Sequence, residues 1–124
     1  MVSERLSDGR RIAQFLASEV TGHEDALGSL AVTDADPDVG PTPDGAFAYA
    51  IERSGDRVAG VFVQPDRARV EFETDVDAVA EAAREAGLRV RPKAVEPPRT
   101  LVFVEDGAQV KWLLPALQVV ANGE

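Results

Sequence analysis

Three aspartates in the run DADPD, Asp34, Asp36 and Asp38, are the residues best suited by type and spacing to chemistry. Alternate carboxylates on a short loop can converge on a hard cation such as calcium or magnesium, which takes oxygen ligands. The run departs from a calcium loop begun at Asp34, because the sharp-turn glycine would fall at Val39 and the closing carboxylate at Gly45. Two readings stand side by side: a divalent-metal-responsive loop over 34–44, and a solvated acidic loop in an acidic chain. His23, the only histidine, is followed by Glu24 and Asp25 and has the makings of a general base. One histidine and no cysteine leave zinc without a ligand set. Neither a nucleophile elbow nor a phosphate-binding glycine loop occurs, so an enzyme is the minority reading and no cofactor is expected.

A second candidate runs against the background charge. Between Arg84 and Arg99 five basic residues meet only two acidic ones. Strand alternation puts Arg89, Arg91 and Lys93 on one side of a strand, as it does Arg67 and Arg69. Such a row suits an anion or an acidic partner; it equally suits cross-strand pairing with Glu71, Glu73 or Glu105. No aromatic residue interleaves these arginines, which a stacking platform for bases would want. Trp112 lies off the apolar stripe of its helix, the placement of an interface tryptophan or of a lid on a core edge.

The elements that must position these residues follow from apolar spacing and turn chemistry. Ile12, Phe15, Leu16 and Val20 make a helical stripe, firm over about 8–21, with Ser3 or Ser7 as caps and Gly22 as the stop. Residues 22–45 read as a Pro- and Gly-punctuated acidic loop, mobile or functional, with one short candidate strand at Leu30–Thr33. Strands are expected at 46–53, 57–64 and 67–74. In the first, Phe47, Tyr49 and Ile51 share a face; in the second, Val58 and Phe62 face one way and Ala59, Val61 and Val63 the other. A helix over 75–87 is capped by Thr74 or Asp75 and ended by Gly87. Strands at 88–92 and 100–105 follow, then a helix over about 108–121 that Pro115 must kink or break.

The chain has 124 residues, with 22 acidic against 13 basic side chains and a net charge of −9. That length fits a single domain, 1–124, able to bury roughly two-thirds of its unfolded surface without a metal or disulfide staple. The first residues carry both signs of charge and lack an apolar centre, and no apolar run reaches the ~18 residues of a membrane span. A cytoplasmic protein with no membrane contact is the expectation. Eleven arginines against two lysines, with abundant alanine and valine, make the composition resemble that of haloarchaeal proteins. At multimolar salt the Debye length is about 3 Å or less, so a dense acidic surface scarcely repels itself. The same charge disfavours nucleic acid as a partner.

The expected order is α-β-β-β-α-β-β-α, an α+β single domain with a five-stranded, mostly antiparallel sheet and three helices. This order is similar to the secretion-chaperone-like fold of type III secretion chaperones. That resemblance implies a small acidic homodimer binding extended protein segments. Three helices sharing one face would leave the other for a partner subunit. The resulting expectation is a non-enzymatic protein-binding or regulatory module, dimeric; the alternative is a small-ligand or metal-responsive domain using the 34–44 loop.

Overall fold

The computed structural model describes residues 8–23 and 27–122. Ser3 and Ser7, offered as caps from the sequence, lie outside these residues, as do Glu24 and Asp25. Helix α1 spans Gly9–Gly22 and is capped by Asp8, whose carboxylate accepts from the amides of Arg10 and Arg11. Its buried stripe is Ile12, Ala13, Leu16 and Val20. Gly9 is required by close approach, because a Cβ there would run into the carbonyl oxygens of Gln64 and Arg67.

Strands β1 (Leu30–Thr33), β2 (Ala46–Arg53), β3 (Asp56–Gln64), β4 (Arg67–Phe72), β5 (Arg89–Lys93) and β6 (Arg99–Val104) form one sheet in the order β1-β2-β3-β4-β6-β5. Every ladder is antiparallel. The α+β class stands, but the sheet has six strands rather than five. The short Leu30–Thr33 segment pairs along β2, in register from Leu30↔Arg53 to Thr33↔Ala50, and adds an edge.

Helix α2, Val76–Glu85, lies between β4 and β5 in sequence and ends as its glycine predicted. The Gly87 amide donates to the Arg84 carbonyl and the Leu88 amide to Ala83, with Gly87 at φ +96. These are the paired bonds of a left-handed helix stop. Its start corrects the sequence reading: Asp75 sits in the left-handed region with no side-chain cap bond, and Thr74 Oγ1 is buried without a partner. The last helix is broken, as Pro115 required, into α3 (Gly107–Trp112) and α4 (Leu114–Ala121) around Leu113.

All the helices lie on one face. Ile12, Leu16, Val20, Val79, Ala83, Val110, Leu113 and Leu117 join Tyr49, Ile51, Val61, Val63, Val70, Phe72, Val102 and Val104 in a single core. Two side-chain bonds pin the layers: Tyr49 donates to the Ala13 carbonyl at 2.7 Å and Thr100 to that of Val76 at 2.8 Å. Burial pushes the Tyr49 hydroxyl far above its ordinary pKa, so it stays a neutral donor.

Candidate functional site

Among the described residues no helix covers the other face of the sheet, and two register shifts decide what it displays. Between Phe47 and Tyr49 the pairing with β3 slips by one residue, as it does between Ile51 and Glu52. An extra residue in one strand turns the side chains beyond it onto the opposite face. The first shift leaves Tyr49 and Ile51 in the core but sends Phe47 outward, opposite Phe62. The second places Val58 in the core beside Ala59 rather than on the outer face with Phe62. Both outcomes correct the strict alternation read from the sequence.

The uncovered face therefore holds two stacked aromatics roofed by arginines. Phe47 and Phe62 meet edge-on at 5.7 Å between centroids. The Arg57 guanidinium lies 5.2 Å above the Phe47 ring and that of Arg69 lies 4.8 Å above Phe62, within cation–π range. Arg57 also pairs with Glu73 at 2.8 Å. Gly45, at φ +93, lets the chain turn close against the Arg69 guanidinium, which donates to the Asp44 carbonyl at 3.0 Å.

Glu71 is the centre of the face. It is only 3% exposed, yet among the described residues no helix covers it. Three cations surround it: Arg69 at 3.0 Å, Arg99 at 3.1 Å and Lys93 at 3.7 Å. A carboxylate withdrawn from water costs on the order of several kcal/mol unless it is paired and hydrogen-bonded, which these donors supply. Further along, Glu105 takes Arg67 at 2.9 Å and Arg89 at 3.8 Å. The hydrogen bond from Arg67 to Asp66 lowers the Asp66 pKa and raises that of Arg67. Much of the row seen in the sequence is thus engaged in cross-strand pairs.

Arg89, Arg91 and Lys93 do come together on this face, in register with Phe103, Leu101 and Arg99 of β6. They differ in what holds them. Lys93 reaches Glu71, Arg89 makes one long pair and is two-thirds exposed, and the exposed Arg91 guanidinium pairs with no described residue. The aromatic residue that the sequence row lacked is supplied from the neighbouring strand, because Phe103 faces Arg69 on one side and Arg89 on the other. Arg67, Arg89, Arg91 and Phe103 line a depression of about 330 Å³. A second, of about 440 Å³, adjoins it across Arg67 and Phe103 and ends at Pro43 and Gln64. By strand register and ion pairing the face presents seven cations, Arg57, Arg67, Arg69, Arg89, Arg91, Lys93 and Arg99, against five carboxylates, Glu52, Asp66, Glu71, Glu73 and Glu105. An excess of two positive charges in a chain of net −9 leaves the rest of the surface all the more acidic.

A family model described as Family of unknown function (DUF7993) matches residues 1–124. The chain belongs to this family. No curated protein and no solved structure matches it. In this DUF7993 chain four strands, where the sequence reading expected three, separate the first two helices.

The remaining candidates of this DUF7993 chain are placed as follows. Asp34 is exposed in the left-handed region at φ 54, and the Asp36 carboxylate accepts from the Asp38 amide at 2.9 Å, a local turn bond. Among the described residues no three acidic or histidine side chains gather where they could hold a metal ion. The 34–45 segment is tied down: Val39 is buried, the Thr42 amide donates to Val63, Gln64 Nε2 to the Pro43 carbonyl, and Arg10 to that of Pro37. Beneath it lies a pocket of about 150 Å³, lined mainly by apolar side chains, Val32, Val39 and Tyr49 among them, together with Arg10, Gln14 and Asp36. His23 pairs with Glu19 at 3.1 Å, one turn back along α1. Trp112, 44% exposed, lies against the α2 stop, with its ring 3.7 Å from where a Gly87 Cβ would sit. Among the described residues no helix is long and apolar enough to cross a membrane.

Proposed function

We propose that the protein is a non-enzymatic binding or regulatory module of the cytoplasm. Its working surface is the uncovered sheet face, and its partner is a protein segment that docks there. The observation that carries this reading is that face itself: a cation excess built on a six-stranded sheet, in an otherwise acidic molecule, with an aromatic-lined depression and an exposed Arg91 guanidinium that pairs with none of the described residues. The face is not apolar. Among the described residues the exposed large hydrophobics are Val95 and Trp112, and neither belongs to it. Nor do the sheet edges invite strand addition, since β1 has four residues and β5 carries Pro92 among its cations. Docking across the face fits better than docking along an edge.

The test compares the proteins retained from an extract of the native host by the immobilised wild type, the double variant Arg89→Ser/Arg91→Ser, and Arg84→Ser on the helical side. Proteins held by wild type and Arg84→Ser but lost from the double variant support the reading. A retained set indifferent to the face, or a turnover activity, contradicts it.

Two observations favour other readings. A six-stranded sheet covered on one side has the geometry of sheet-on-sheet pairing, which favours a homodimer. Two cation-rich faces can meet only where salt screens them. The apolar pocket beneath the 34–39 turn favours a small uncharged ligand for that loop.

A further inference from the structure

We infer that the seat formed by Phe103, Arg89 and Arg91 binds an acidic protein segment in which carboxylate side chains flank an apolar one. The inference rests on the open-face reading and specifies its partner.

The charges on the face are not equivalent. Arg57, Arg69 and Arg99 are committed to Glu73 and Glu71, and the first two also roof aromatic rings. Arg67 is held between Asp66 and Glu105. Free capacity is therefore concentrated at the β5 end, in the Arg91 guanidinium and in Arg89, whose only described ion pair spans 3.8 Å. A guanidinium presents a planar fork of donors that matches a carboxylate edge. Between these arginines and Arg67 lies Phe103, half-buried, the floor of two adjoining depressions. An apolar side chain resting on that ring excludes water from the flanking ion pairs, and such exclusion raises their worth.

The spacing fits an extended chain. On a strand, every second side chain points the same way, about 6.7 Å apart. The Cα atoms of Arg69, Phe103 and Arg89 stand opposite one another on three adjacent strands, about 4.8 Å apart. Flexible arginine arms close the difference, so a segment crossing the strands rests its apolar side chain on Phe103 and sets one flanking carboxylate against Arg89 or Arg91. The other comes to Arg67, two residues along β4 from Arg69, and shares the Arg67 guanidinium with Asp66 and Glu105.

The alternative polyanion, single-stranded nucleic acid, suits the face less. It needs a row of open rings for successive bases, whereas the Phe47 and Phe62 rings are covered by arginines. The net charge of −9 repels a continuous line of phosphates. A protein segment brings its carboxylates only where the free arginines are.

The probes are a fluorescein-labelled peptide with glutamates flanking a leucine at alternate positions, the same peptide with glutamines for the glutamates, and a labelled oligothymidylate. Binding is read by anisotropy with the full-length protein. Wild type is expected to bind the acidic peptide at least tenfold tighter than either control. Arg91→Ser and Phe103→Ala should each weaken it about tenfold, Arg91→Lys should recover part of the loss, and Arg84→Ser should change nothing. Because Arg91 is exposed and pairs with none of the described residues, its variants should keep the wild-type circular dichroism and melting point. Equal loss in Arg84→Ser and Arg91→Ser would reduce the effect to general charge and overturn the seat. Tighter binding of the oligothymidylate would assign the face to nucleic acid and overturn the partner. No peptide binding, with face-dependent retention intact, would overturn the proposed chemistry and leave the open-face reading standing.

Discussion

At the scale of single residues, the molecule commits one buried carboxylate and one buried phenol, and each makes a prediction. Glu71 holds Arg69, Arg99 and Lys93 together on a surface no helix protects. Glu71→Gln keeps the shape but leaves those cations without their counter-charge; it should cost about 1–3 kcal/mol, read as a lowered urea midpoint. Tyr49 is the only tyrosine, so its ionisation can be followed directly by absorbance. Its folded pKa is raised by burial. The stability it contributes is complete below the ordinary tyrosine value of about 10 and declines as pH rises above it, because the unfolded chain can ionise there and the folded one cannot. The absorbance step should coincide with loss of the fold; a step near pH 10 in folded protein would contradict the burial. Part of this was legible in the sequence, which offered Glu71 as a cross-strand partner of the arginine row, and Lys93 does reach it. Its burial within a ring of three cations was not, because β6 brings Arg99 alongside β4 only in the folded sheet.

At the scale of elements, spacing and turn chemistry carried the reading as long as the strands kept step. Gly87 and Pro115 punctuate helices through backbone restrictions that act locally, so each could be read where it stands. The irregularities at Ala48 and Val58 could not, because a register shift is settled by the partner strand. They decide the composition of the open face by turning Phe47 out and Val58 in. Phe103 was missed as a neighbour of the arginine row for a related reason: it is brought there by β6, opposite Arg89, from which it is fourteen residues distant in the chain. The glycine that most constrains an element is Gly9. Since a Cβ would meet two backbone carbonyls of the β3–β4 turn, Gly9→Ala should destabilise by about 1–3 kcal/mol despite alanine's better helix propensity. A variant as stable as wild type in thermal unfolding would mean that α1 does not dock as closely as described.

At the scale of the whole molecule, charge is segregated: the helical side and the loops carry the acid, and the open face carries a cation excess. That distribution separates two roles for the net −9. If the acid serves as solvent adaptation, stability should rise steeply with potassium chloride and the protein should lose compactness in dilute buffer. Calcium or magnesium should add nothing beyond the general salt effect, given that Asp34, Asp36 and Asp38 do not converge; a specific shift in melting temperature at micromolar calcium would restore the metal reading of that loop. Light scattering under the same conditions reads the dimer. A mass of twice 13.2 kDa in concentrated salt that falls to the monomer on dilution would place a second copy on the face.

The central claim is that this face is where the protein meets its partner. It is tested most directly by following backbone amide resonances of the labelled protein while the acidic peptide is added. Shifts are expected to be confined to β5, β6 and β4, largest around Phe103, Arg89 and Arg91, with the helices undisturbed. Shifts centred instead on the 34–39 turn and its apolar pocket, or spread evenly over the surface, would contradict it.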